Sequence, residues 1–242
     1  MNFELQVLKL QEMIDEATNI VCLTGAGVST ASGIKDFRSD DGLYKMVSSV
    51  YKDPTYMLSH TCFEKEPERF YEFYKKYMNC LDKSPNIVHE YLTKLEKKGK
   101  LKGIITQNID GLHEKAHSKN VYEIHGSIYR NYCVKCHKFY SASYVFDSKG
   151  IPLCSCSGIV KPDVILYGES LNNSFNEAIK LVVNADLFLV IGTSLTVFPA
   201  SSLVDYFHGK NLVIINYDKT NYDFDANLVI NDDLVKVFKK LK

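Results

Sequence analysis

The residues with most chemical potential are four cysteines in two close pairs, Cys133-x-x-Cys136 and Cys154-x-Cys156; the other three of the seven, Cys22, Cys62 and Cys80, are scattered. In a reducing compartment such pairing favours a metal over disulfides, and the first pair reads as one side of a zinc clamp. The second pair is one residue short of the usual Cys-x-x-Cys, and whether a metal there would do chemistry is open at this point. A second candidate is Gly25-Ala26-Gly27-Val28-Ser29-Thr30-Ala31-Ser32-Gly33. It follows a short apolar run, the context in which a glycine turn lets backbone N–H groups approach a pyrophosphate. Thr30 stands where a third glycine would complete the dinucleotide fingerprint, so a nucleotide loop and a plain tight turn both remain.

Polar residues recur at the ends of other apolar runs. Thr106-Gln107-Asn108-Ile109-Asp110-Gly111-Leu112-His113 offers side chains for the sugar or amide of a ligand, although Asn108 would also suit an Asx-capped turn. His125-Gly126-Ser127 places an imidazole before a glycine, where it is either a structural histidine or a base working near neutral pH. Gly192-Thr193-Ser194 and Asn216 close two further runs. The segment Ile34-Lys35-Asp36-Phe37-Arg38 sets an acid, an aromatic ring and a guanidinium side by side in a predicted loop.

The elements that must position these residues are legible in the hydrophobic pattern. Phe3, Val7, Leu10 and Ile14 have helical spacing, and helix-like stretches cover 86–97, 175–184 and 199–207. Between them lie continuous apolar runs at 19–24, 103–106, 186–191 and 211–215. Runs apolar at every position imply burial on both faces, hence a parallel sheet covered by helices. The predicted fold is α/β: a Rossmann-like parallel sheet with helices on both faces. In such sheets ligands bind beyond the carboxyl ends of the strands, where the polar residues cluster. Two stretches break the rhythm: 42–85, rich in Tyr and Phe at helical spacing, and 131–159, which holds the cysteines. Together they predict a small second domain, a helical insertion plus a zinc-binding module, beside a Rossmann-like domain of 1–41, 86–130 and 160–242.

Across 242 residues, 29 Lys+Arg balance 29 Asp+Glu, so no net field draws the chain to nucleic acid or anionic lipid. At 45% hydrophobic and 24% charged the composition is that of a soluble globular protein. The first residues show no basic-then-apolar leader and no run approaches a membrane span, so a cytoplasmic protein with neither membrane nor nucleic-acid partner is expected.

Taken in order, Gly25-Ala-Gly-Val-Ser with Ser32-Gly-Ile-Lys-Asp-Phe-Arg38, Thr106-Gln-Asn-Ile-Asp-Gly-Leu-His113, His125-Gly-Ser, Lys161-Pro-Asp-Val-Ile-Leu-Tyr-Gly-Glu169, Gly192-Thr-Ser-Leu-Thr-Val-Phe-Pro-Ala200 and Ile215-Asn216 resemble the sirtuins of bacterial type over nearly the whole chain. These are NAD-dependent protein-lysine deacylases, so the resemblance implies NAD as co-substrate and acyl-lysine proteins or peptides as partners. It implies that His125 is the general base, with Asn108 and Asp110 in the catalytic set. It places Gly25, Ala26, Thr30, Phe37 and Arg38 along the diphosphate and nicotinamide ribose. Gln107 would hold that ribose, and Asn108, Ile109 and Asp110 the nicotinamide. Gly192, Thr193, Ser194, Asn216 and Asp232 would hold the adenosine side. The peptide would lie extended between Ile165, Tyr167, Gly168 and Glu169 on one flank and Val197 on the other. Lys35 replaces the proline usual in the first motif.

The resemblance also implies one structural zinc on Cys133, Cys136, Cys154 and Cys156, because a closed shell of thiolates leaves no place for a reactive water. Cys156 keeps the family's interval to Lys161, so the missing residue lies between Cys154 and Cys156 and a tighter turn is expected. Desuccinylating relatives carry Tyr-x-x-Arg where this chain has Tyr74-Lys75-Lys76-Tyr77. Without the guanidinium fork, acetyl and other neutral acyl groups are expected. Three other readings compete: a nicotinamide dehydrogenase, a mono-ADP-ribosyltransferase on the same scaffold, and a non-enzymatic zinc module. The incomplete glycine fingerprint disfavours the first, His125 the second and the polar strand ends the third.

Overall fold

A computed structural model describes residues 1–37, 42–48, 51 and 53–242. Nine strands form among them: β1 (Ile20–Thr24), β2 (Leu101–Thr106), β3 (Val121–Glu123), β4 (Gly126–Cys133), β5 (Phe139–Tyr140), β6 (Val160–Val164), β7 (Leu187–Ile191), β8 (Asn211–Ile215) and β9 (Leu228–Ile230). Six of them build one sheet in the order β3-β2-β1-β7-β8-β9, and every pairing in it is parallel.

β1 and β7 are buried at every position because successive side chains serve opposite cores. Ile20, Cys22, Leu187, Leu189 and Ile191 face the helices Phe3–Glu16, Ile87–Lys97 and Leu234–Phe238. Val21, Leu23, Phe188 and Val190 face the helix Ser174–Asn184 and the 3-10 turns Ala200–Tyr206. The expected α/β sheet covered on both faces is thus observed. The stretch expected as helix at 199–207 is 3-10 rather than α, and β9 is a short edge strand absent from the sequence reading.

β4, β5 and β6 form a second sheet, antiparallel, in the order β5-β4-β6. It packs with short helices of the 43–77 region into a separate aromatic core. Phe70, Tyr71, Phe73 and Tyr74 on the helix Pro67–Tyr77 are all essentially inaccessible, each burial worth about 1.5–3 kcal/mol.

The two sheets meet at His125-Gly126, between the end of β3 and the start of β4. Gly126 has φ 79°, and a Cβ there would overlap the carbonyl oxygen of Asp163 on β6. Left-handed backbone and close strand approach together exclude a side chain. Gly126→Ala should therefore lower stability by at least about 2 kcal/mol, read from the shift of the urea unfolding midpoint.

Candidate active site

The residues after β1, β2, β3 and β7 converge on one end of the parallel sheet. The glycine loop makes a single helical turn, Gly27–Thr30, packed against the turn after β7. Gly25 N–H donates to Ile191 O at 3.0 Å and Gly27 N–H to Gly192 O at 2.8 Å. Gly192 has φ 62°, and no Cβ fits at Gly25, Gly27 or Gly192 without meeting the opposite backbone. The glycines are thus explained by this contact, while Ala26 stays half-buried and Thr30 exposed at the loop surface. Phe37 lies 5.5 Å from the Tyr44 ring, and Arg38 falls outside the described residues.

After β2, Gln107 Nε2 donates to Thr193 Oγ1 at 3.0 Å, tying this loop to the β7 turn. Asn108 Nδ2 donates to Gly25 O at 3.0 Å and to Ser29 Oγ at 3.1 Å. Ser29 Oγ in turn donates to Asp110 Oδ2 at 2.6 Å, and Asp110 Oδ1 accepts from Leu112 N–H at 2.9 Å. Burial raises the Asp110 carboxyl, while the Ser29 and Leu112 hydrogen bonds pull it back only in part. Ser29 is the residue that sequence reasoning passed over. Its only signal is a hydroxyl among small residues in the glycine loop, yet it joins Asn108 to Asp110. Ile109 turns toward the small core, and its carbonyl accepts from Ile128 N–H at 3.0 Å.

His125 is fixed by Nδ1, 3.0 Å from Gln107 O. A carbonyl only accepts, so Nδ1 carries the proton and Nε2 presents a lone pair. Among the described residues Nε2 has no hydrogen-bond partner. Burial holds the imidazole below its ordinary value despite the Gln107 bond, so it is neutral at neutral pH. The geometry is that of an oriented base.

Beyond β6 the chain stays extended. Ile165 N–H donates to His125 O at 2.9 Å, and Tyr167 N–H donates to Leu58 O at 3.0 Å. Tyr167 is exposed, with its hydroxyl 2.8 Å from that of Tyr44, and Gly168 turns the chain at φ 92°. The Glu169 carboxylate points inward, accepting from Leu166 N–H at 2.8 Å and Lys161 Nζ at 3.2 Å. Val197 lies half-buried after the β7 turn. Ser194 is exposed, its hydroxyl 2.9 Å from Thr196 Oγ1. At the ends of β8 and β9, Asn231 Nδ2 reaches Asn216 O at 3.2 Å, whereas the Asp232 carboxylate pairs with Lys236.

The four module cysteines bring their sulfurs within 4.8 Å of one another. Cys133–Cys156 and Cys154–Cys156 stand at 3.4 Å and Cys136–Cys154 and Cys136–Cys156 at 3.5 Å. Four thiolates about 2.3 Å from one zinc sit about 3.8 Å apart, so this set fits a tetrahedral ion with slight expansion. The shortened second pair is accommodated by Ser157, which takes φ 63° while its N–H donates to Cys154 O at 2.8 Å. Gly158 then runs against the Cys133 sulfur, where a Cβ would not fit.

A parallel α/β sheet with a glycine loop, converging polar strand ends and a four-cysteine module defines a nucleotide-handling fold with a metal-stapled appendage. The Sir2 family model matches residues 25–199. The chain is 51% identical over 239 residues to an NAD-dependent protein deacetylase of Clostridium perfringens, covering 98% of each chain. It is 46% identical over 233 residues to one of Staphylococcus aureus, covering 96% of each. Among solved structures it resembles a Sir2 with a p53 peptide and NAD+ (TM-score 0.86, 37% identity, 96% and 95% covered). It also resembles a Sir2 bound to acetylated peptide (TM-score 0.85, 35% identity, 99% and 97% covered). This protein belongs to the Sir2 family.

Elemental analysis of freshly purified protein should return one zinc per chain. Cys133→Ala should lose the metal and melt several degrees lower, since the bound ion contributes folding energy. Well under one zinc per chain in the unaltered protein would overturn the four-thiolate assignment.

Proposed function

We propose that this protein is an NAD-dependent protein-lysine deacetylase, moving the acyl group of an acylated lysine to ADP-ribose and releasing nicotinamide, O-acyl-ADP-ribose and free lysine. The observation that carries this reading is the free, oriented Nε2 of His125 at the junction of the two sheets. The names of the relatives and the ligands of the Sir2 structures support it. NAD, when bound, supplies an electrophilic ribose carbon and a nicotinamide leaving group. His125 Nε2 takes the proton from a ribose hydroxyl, and its Nδ1–H stays on Gln107 O. Asn108, Ile109 and Asp110 surround the nicotinamide, held in shape by Ser29. Gly25, Ala26, Thr30 and Phe37 serve the diphosphate and its ribose, a role the family resemblance also gives to Arg38, which lies outside the described residues. Gln107 orients the ribose from its anchor on Thr193. Gly192, Thr193, Ser194, Asn216 and Asp232 serve the adenosine end.

The acyl-lysine peptide lies extended between the Ile165–Glu169 segment and Val197, reading main chain more than sequence. Residues 1–41, 86–130 and 160–242 act as the NAD-binding domain, and 42–85 with 131–159 as the small domain. The zinc staples that domain and takes no part in the reaction. Among the described residues no helix is long and apolar enough to cross a membrane. A cytoplasmic enzyme with no nucleic-acid partner fits this and the balanced charge.

The acyl preference has support beyond the missing arginine. Tyr74 is fully buried, stacked between Phe70 and Phe146, so its hydroxyl faces the core rather than a ligand. Lys75 Nζ is held by Ser148 and Gly150 carbonyls, and Lys76 Nζ lies 5.1 Å from the Tyr77 ring centroid. Neither lysine is placed as a second fork for an acyl carboxylate.

His125→Ala should cut release of O-acetyl-ADP-ribose from an acetyl-lysine peptide and NAD by at least about 10²-fold, with an unchanged far-UV spectrum. Turnover at the unaltered rate would sink the assignment. Nicotinamide release with labelled ADP-ribose left on protein would favour the mono-ADP-ribosyltransferase reading instead. Acetyl peptides should turn over faster than succinyl peptides in side-by-side assays. In unaltered enzyme kcat should fall as pH drops through the depressed His125 value, because only the neutral ring accepts a proton.

A further inference from the structure

His60 opens the helix His60–Lys65, after the Ser59 cap. Its backbone N–H donates to Tyr167 O at 3.0 Å and Tyr167 N–H donates to Leu58 O, so residues 58–60 grip the Tyr167 end of the segment whose Ile165 end is held by His125. Its ring bridges two carboxylates: Nδ1 lies 2.9 Å from Glu169 Oε1 and Nε2 3.2 Å from Glu64 Oε1. Ionised carboxylates only accept, so a ring that donates to both must carry both protons. A neutral ring would turn a lone pair toward one of them. Glu169 is the same carboxylate whose other oxygen holds Leu166 N–H and Lys161 Nζ.

We propose that protonated His60 is a positioning residue for the acyl-lysine peptide, holding Glu169 and through it the Ile165–Tyr167 strand in the shape that receives substrate. This rests on the deacetylase reading. The charged groups facing His60 are Glu64 on its own helix, Glu169 on the segment after β6, and, beyond Glu169, Lys161 on β6. The Glu169 hydrogen bond raises His60 above the ordinary imidazole value, with burial opposing and Glu64 adding. The clamp is therefore complete below about pH 6.5 and is lost as pH rises through the raised value. His125 is shifted the other way and must be neutral to act. Opposite shifts widen the interval in which one ring is charged and the other is a base. The His60 side chain is 44% exposed, which keeps the effect modest.

The test is the pH dependence of the peptide KM between about pH 6 and 9, at saturating NAD. The substrate is an acetyl-lysine peptide with blocked ends and no group titrating in that range. In unaltered enzyme KM should rise about threefold from the acid to the alkaline end, with kcat at saturating peptide unchanged on the alkaline side. His60→Gln should show the high KM throughout with no step. His60→Arg, which keeps the charge, should restore the low KM and hold it flat. An active enzyme with a flat KM, or a step that survives in His60→Gln, would overturn the clamp alone. An enzyme that releases no nicotinamide with any acyl peptide would overturn the deacetylase reading, and this inference with it.

Discussion

The loop after β1 and the turn after β7 touch backbone to backbone, and the rest of the site is built outward from that contact. Gly27 N–H on Gly192 O leaves no room for side chains on either side. The three glycines follow from the contact, and so does a cleft floor made of peptide groups. Gln107 then ties the loop after β2 to Thr193, and Asn108 ties it to Gly25 O. Three loops from three adjacent strands are thereby locked into one surface. Buried strands admit few polar side chains, so polar groups collect at their carboxyl ends and satisfy one another there.

Two histidines show how the same side chain takes opposite character from its neighbours. His125 meets a neutral carbonyl in a partly buried place, and that enclosure favours the uncharged ring. His60 meets two carboxylates in a half-open place, and they favour the charged one. They hold the two ends of the Ile165–Tyr167 segment, which hydrogen-bonds to both.

The parallel sheet was legible because strands buried on both faces must be apolar at every position. The glycine loop, the polar strand ends, the paired cysteines and His125 were legible because their residue types are unusual where they occur. Ser29 was not, since a small hydroxyl in a small-residue loop announces nothing until Asn108 and Asp110 close around it. The antiparallel sheet was missed because β4 mixes Tyr, Arg and Asn, its partners coming from far along the chain. β9 was missed because three residues carry no period. Tyr74, the one residue of the Tyr-x-x-Arg pattern that this chain keeps, is packed between Phe70 and Phe146 as core.

Gly126 has a consequence for how the base is held. The parallel sheet ends at β3 and the antiparallel sheet begins at β4, with only Ile124 and His125 between them. The adjoining backbone is pinned by Ile165 N–H on His125 O and by Gly126 paired with Val164. The base is thus fastened to both sheets at once: its carbonyl holds the segment after β6, and its ring rests on Gln107 O after β2.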